Sequence, residues 1–108
     1  LNGGASFNHA SLIAIETDGK SRVVADHLSF PNGTVITPDG ATLVVAETFA
    51  GRLTAFDIVA NGDLENRRLW GQLPAGTAPD GICLDAQGAI WVASPPTNEC
   101  LRLAEGGE

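Results

Sequence analysis

A ten-residue block of this sequence recurs 48 positions downstream. Pro31-Asn32-Gly33-Thr34-Val35-Ile36-Thr37-Pro38-Asp39-Gly40 aligns with Pro79-Asp80-Gly81-Ile82-Cys83-Leu84-Asp85-Ala86-Gln87-Gly88. After one deletion, Leu43-Val44-Val45-Ala46 aligns with Ile90-Trp91-Val92-Ala93 at an offset of 47. Each unit opens with Pro-Asx-Gly, makes a strand, turns at Gly and makes a second strand ending in Ala. A fixed period in this range marks a chain built from stacked copies of one supersecondary unit. Four antiparallel strands in about 40–50 residues is the unit of a β-propeller blade.

The rest of the chain fits that unit. No segment carries a sustained helical period; the pattern is short β-favouring runs separated by Gly, Asp, Asn and Pro. It predicts strands near 11–16, 21–25, 34–37, 42–46, 52–58, 66–70, 82–85, 90–93 and 100–103. Asp18-Gly19, Asp39-Gly40, Asn61-Gly62 and Gln87-Gly88 stand between them. Asx-Gly pairs turn tightly because Gly accepts positive φ and the Asx side chain bonds back to the local backbone. The expected fold is therefore all-β, with antiparallel four-stranded blades. The 108 residues divided by the period give about 2.3 blades, and propellers typically hold four or more. Residues 11–28 are expected to end one blade, 31–70 to form a full blade and 79–108 to start the next. The expectation is a partial β-propeller, about two blades, that belongs to a longer chain or self-associates to cover its open edges.

Charge narrows the partners. Thirteen carboxylates against six Lys and Arg give a net charge of −7. Such a surface repels phosphate backbones and anionic membranes, so neither nucleic acid nor a membrane is an expected partner. No apolar run approaches the roughly 18 residues a membrane helix needs. No secretion-signal pattern is visible, and the first residue is Leu rather than Met, so the true N-terminus is expected to be missing or processed. Cys83 and Cys100 form neither a CxxC nor a disulfide framework. Cys83, inside the apolar run Ile82-Cys83-Leu84, is expected to be a buried thiol. A cytoplasmic location is the default expectation.

Phe30-Pro31-Asn32-Gly33 with Pro38-Asp39-Gly40, and Pro79-Asp80-Gly81-Ile82-Cys83-Leu84-Asp85 with Gly88 and Ile90-Trp91-Val92-Ala93, resemble the senescence marker protein, gluconolactonase and luciferin-regenerating enzyme family. The resemblance runs from about residue 11 to residue 105. Leu43-Val44-Val45-Ala46-Glu47-Thr48 is also similar to strictosidine-synthase-like propellers. The resemblance implies a six-bladed propeller and a metal-dependent hydrolase acting on a small-molecule lactone or related ester. It implies one divalent cation, calcium preferred and zinc possible, held by a Glu, two Asn and an Asp. Asn32 matches the second Asn and Asp80 the Asp; the Glu and the first Asn are expected upstream of Leu1. The chain is thus expected to carry half of a site that is complete only in a closed ring.

The residues themselves support a shared site. In a meander the loops alternate between two faces. Asn32 and Asp80, opening equivalent inner strands, should share a face with the turns at 47–51 and 94–99. The turns at 39–40, 61–62 and 87–88 should lie opposite. One amide oxygen and one carboxylate are donors a hard cation takes. Asp80 could hold that ion or act as general base on its water. Ordinary Asx-Gly turn chemistry is the competing reading of both residues.

Other residues carry less. Glu47 and Glu99 could border the substrate but read more readily as solvated loop carboxylates, and Glu47 and Ser94 are repeat-equivalent without shared chemistry. His9 and His27 stand at no catalytic or metal-ligating spacing, and Ser94 lacks a nucleophile elbow. Trp70 and Trp91 are expected to fill space between sheets. Arg67-Arg68 reads as a solvated edge, and Pro95-Pro96 as a stiff loop over the channel. The alternative functions are a non-catalytic binding propeller with a structural metal at most, and a strictosidine-synthase-like protein without lactonase activity.

Overall fold

A computed structural model describes residues 9–106. Nine strands follow one another: β1 (Ala10–Ile15), β2 (Ser21–Leu28), β3 (Pro31–Ile36), β4 (Thr42–Glu47), β5 (Arg52–Ile58), β6 (Leu64–Gln72), β7 (Ile82–Leu84), β8 (Ile90–Ser94) and β9 (Glu99–Leu103). They pair antiparallel with their sequence neighbours in three sheets, β1-β2, β3-β4-β5-β6 and β7-β8-β9. Among the described residues the only helical turns are two 3-10 turns, Thr48–Ala50 and Pro95–Thr97. No helix of the described residues is long and apolar enough to cross a membrane.

The nine expected strands are all present, with larger boundary differences in three: β2 runs on to Leu28, three residues past its expected end, and β6 and β3 also differ. β6 runs from Leu64 to Gln72, two residues longer at each end than the expected 66–70. β3 begins at Pro31, where Pro-Asn-Gly reads as a turn. Pro31 pairs with Glu47, and an irregularity follows before Thr34 pairs with Val45. Gly33 is not in the left-handed region that a tight turn would need. Its hydrogen-bond partner, in the segment just ahead of β7, holds it in the strand, which overrides the local turn preference.

The middle sheet is covered on both faces, so β4 and β5 are buried almost residue by residue. Val44, Ala46, Leu53 and Ala55 face the third sheet and pack with Trp70, Ile90, Val92 and Leu103. Val45 and Phe56 face the first sheet and pack with Leu28. Strand alternation sends successive side chains to opposite faces, and this decides two expectations. Trp70 is buried, as expected, but Trp91 is 41% exposed. Cys83 is exposed as well, as is Cys100, and both are free thiols. Cys83 and Trp91 pair across β7 and β8, on the opposite face from Ile82 and Val92, which pack inward. The apolar run at Cys83 reads as wholly buried, but only alternate positions of β7 reach the core.

Candidate functional site

Asn32 lies in β3 and Asp80 two residues before β7. The fold brings them together through backbone. The Gly33 amide donates to the Asp80 carbonyl oxygen at 3.0 Å. A Cβ on Gly33 would stand 2.5 Å from that oxygen and 2.8 Å from the Ile82 nitrogen. Close approach, not turn geometry, is what this glycine permits. Asp80 is then latched to its own sheet: its amide donates to Ala93 O, and the Ala93 amide donates to Gly81 O, each at 3.0 Å.

Asn32 and Asp80 line one cavity of about 420 Å³. Its walls come from the two equivalent 3-10 turns, through Thr48 and Phe49 of one and Pro95 and Pro96 of the other. Each turn ends in a left-handed residue, Gly51 at φ 63° and Asn98 at φ 54°. The Thr48 hydroxyl donates to the Pro79 carbonyl at 2.6 Å, tying the first turn to the segment that carries Asp80. Asp39, Asp63 and Asp85 sit in the other turns and line no part of this cavity. Asp39 and Asp85 accept bonds within their own turns.

Phe30 and Ala78, the residues that precede the two Pro-Asx segments, complete the cavity. Phe30 has φ 60°. A bulky residue in the left-handed region costs on the order of 1–3 kcal/mol, and a following proline disfavours it further. The Thr48 amide donates to Phe30 O at 3.0 Å and holds it there. The Phe30 ring lies 4.9 Å from the Phe49 ring, tilted by 31°.

A divalent cation would find one amide oxygen and one carboxylate here. That chemistry fits a hard cation, which takes about six to eight oxygens. Two donors are part of such a set, and the described residues hold no cluster of three or more His, Cys, Asp or Glu able to bind a metal.

Glu47 is the residue the sequence reading misplaced. It is not a solvated loop carboxylate but is fully buried. Its carboxylate accepts from the Ser29 amide at 2.8 Å, from Arg52 Nε and Nη2 at 3.0 Å each, and from the Thr54 hydroxyl. Arg67 Nη2 stands 3.8 Å away. Burial is the largest single influence and favours the neutral acid, but the donors from Arg52, Thr54 and Ser29 together outweigh it. They hold the Glu47 carboxyl down at about 2. Such a group is permanently ionised near neutrality, and its contacts are structural.

Ser94 does the same work one period later. Its hydroxyl oxygen accepts from the Ala78 amide at 3.2 Å and from the Thr97 hydroxyl at 2.8 Å. Glu47 and Ser94 thus do share chemistry: each is a buried polar group anchoring the backbone just before a Pro-Asx-Gly segment. The signal for it was parity, since Glu47 continues the Leu43–Val45 face of a strand that is buried on both sides. Arg67 is also more than a solvated edge. Its guanidinium donates to Asp26 O at 2.6 Å and His27 O at 3.0 Å, joining β6 to β2. Arg68 is half-buried and not a fully solvated edge residue, and it pairs with Asp57 at 2.9 Å. The rings of His9 and His27, unrelated by any sequence spacing, come within 5.8 Å, and both residues are exposed. Glu99 is exposed.

A family model described as the SMP-30/Gluconolactonase/LRE-like region matches residues 2–108. Diisopropyl-fluorophosphatase of Loligo vulgaris is 34% identical over 91 residues, covering 78% of this chain and 29% of that protein. A solved luciferin-regenerating enzyme superposes with a TM-score of 0.79 at 21% identity, over 87% of this chain and 32% of its own, a likeness of fold. A calcium-binding protein, regucalcin, from Agrobacterium tumefaciens superposes with a TM-score of 0.66 at 26% identity, over 78% and 29%. The chain therefore spans about a third of the length of the proteins it matches.

Proposed function

Because the chain belongs to the SMP-30/gluconolactonase/LRE-like family, we propose that it forms part of a metal-dependent hydrolase of lactones or related esters. On this reading its sheets are a run of a six-bladed propeller. Residues 11–28 close one blade, 31–70 form a full blade and 79–108 open the next. Asn32 and Asp80 are ligands of one divalent cation, calcium in preference to zinc, and Asp80 is also the candidate general base.

The observation that carries this reading is that two repeat-equivalent Asx side chains, from different sheets, line one cavity. Asn32 contributes a neutral amide oxygen and Asp80 a carboxylate, a pair suited to a hard cation. The Gly33–Asp80 backbone bond fixes the spacing of the segments that bear them. When bound, a divalent ion at such a site polarises a carbonyl and acidifies water. The remaining donors come from further chain or from a second copy. The one-third share of its relatives that this chain spans favours further chain.

Calorimetric titration of the complete protein with calcium and zinc, beside lactone hydrolysis with and without EDTA, tests the reading. Saturable binding and EDTA-sensitive turnover are expected, both lost in Asp80→Ala. An ion that raises the melting temperature without turnover would point to a non-catalytic binding propeller. Absence of binding, with Asp80→Ala unchanged in activity, would end the proposal.

A further inference from the structure

We infer that Phe30 and Phe49 form an aromatic platform for the apolar part of the substrate, so that the site takes alkyl- or aryl-bearing lactones and esters in preference to polyhydroxylated sugar lactones. The inference rests on the proposed function, and it concerns which member of that substrate class fits.

Three observations carry it. The first is the backbone at Phe30. A phenylalanine that precedes proline is held at φ 60° against both steric preferences. Strain of this kind persists where the surroundings over-determine it, and it points to a role for what it positions. What it positions is a ring 4.9 Å from Phe49, at the edge of the cavity that Asn32 and Asp80 share. The second is exposure. Phe49 is 50% exposed although it sits in the middle of a short turn between well-packed strands. The third is the rest of the wall. Pro95, Pro96 and Ala78 add apolar surface without donors on their side chains. The Thr48 hydroxyl already donates to Pro79 O. None of the lining side chains is cationic.

A sugar lactone brings several hydroxyls that must exchange water for protein partners, and each one left unmet weakens binding. An alkyl or aryl group instead gains from removing apolar surface from water and from stacking on the rings. The carbonyl of either substrate would face Asn32 and Asp80. The two substrate types therefore differ at the platform and not at the polar pair.

Two non-hydrolysable probes separate these contributions: a phenyl-substituted δ-lactam and the polyhydroxylated gluconolactam, titrated calorimetrically into the complete protein. The phenyl lactam is expected to bind at least about tenfold more tightly. Phe49→Ser is expected to weaken it about tenfold, to leave gluconolactam within about twofold, and to be rescued by Phe49→Tyr. Circular dichroism of each variant checks folding. Equal or tighter binding of gluconolactam, no binding of the phenyl lactam, or a Phe49→Ser effect shared by both probes would overturn the inference. If gluconolactam wins while calcium binding and EDTA-sensitive hydrolysis persist, the platform fails and the hydrolase reading stands. If the phenyl lactam wins without metal binding or turnover, the hydrolase reading fails and the platform stands.

Discussion

Gly33 and Asp80 lie 47 residues apart in sequence, yet their backbones meet so closely that no side chain fits between them. The amide of one and the carbonyl of the other form a 3.0 Å hydrogen bond between neighbouring sheets. The contact sits one residue from Asn32 and on Asp80 itself, so the spacing of the candidate site is set by main chain and not by side-chain packing.

Gly33→Ala is the direct test. Its Cβ would overlap backbone at 2.5 and 2.8 Å, and backbone cannot swing away as a side-chain tip can. Separating the sheets breaks the bond and opens the core, with an expected loss of about 2–3 kcal/mol in urea unfolding. Gly81 is the repeat equivalent and has nothing within 4 Å. In the 108-residue chain alone, Gly81→Ala should change stability by less than about 0.5 kcal/mol. In the complete protein, where the proposed propeller places another sheet against β7, it should cost as much as Gly33→Ala. A neutral Gly81→Ala in the complete protein would count against that neighbour.

Glu47 makes stability depend on acid. Its folded carboxyl titrates at about 2, below the ordinary 4.5. A depressed acid contributes fully above the unfolded value and loses that contribution as pH falls through the folded one. The loss should therefore run from about pH 4.5 down to about 2. After discounting for solvent around Arg52 and Arg67, it amounts to about 2 kcal/mol. Glu47→Gln should be less stable than the parent at pH 7, and the two stability curves should converge near pH 2. Parallel curves across that window would show that Glu47 is not the group responsible.

Arg67 links two sheets through two carbonyls of β2. Arg67→Ala removes two charge-assisted donors and leaves Asp26 O and His27 O to water, which can reach them because both residues are exposed. The cost should be modest, about 1–2 kcal/mol. Arg67→Lys should recover less than half, because one ammonium does not match a planar fork. Arg68→Ala, which removes a partly exposed ion pair with Asp57, should cost under about 1 kcal/mol. Thermal melts of the three variants give the ranking.

What could be read from the sequence follows how local each cause is. The strands follow from β-branched runs between tight turns, and the meeting of Asn32 and Asp80 at one cavity follows from the repeat, so both placements were legible. The burial of Glu47 was not. A carboxylate after Ala46 at the start of a turn reads as solvated, and its burial depends on Ser29, Arg52, Thr54 and Arg67, drawn from three stretches of chain. Cys83 and Trp91 failed for a different reason. Their runs are apolar throughout, whereas the neighbouring sheet covers only one face of β7 and β8. The Phe30–Phe49 contact was hidden because φ at Phe30 opposes the local preference, and a propensity reading points away from the conformation adopted.

That same backbone yields a test in which stability and binding part company. At Phe30, glycine would accept φ 60° without strain, relieving about 1–3 kcal/mol. It would forfeit the ring contact with Phe49, about 0.5–1.5 kcal/mol, and add about 0.5–1 kcal/mol of chain entropy in the unfolded state. These contributions nearly cancel, so Phe30→Gly should unfold within about 1 kcal/mol of the parent. Phe30→Val keeps the strain, worsens it by β-branching and loses the ring, so it should be destabilised by at least about 2 kcal/mol. Phe30→Gly should nonetheless lose most of the preference for a phenyl lactam over gluconolactam. A strongly destabilised Phe30→Gly would show that the ring serves the core, and that the left-handed backbone beside Pro31 is a consequence of packing and not a means of presenting an aromatic face to substrate.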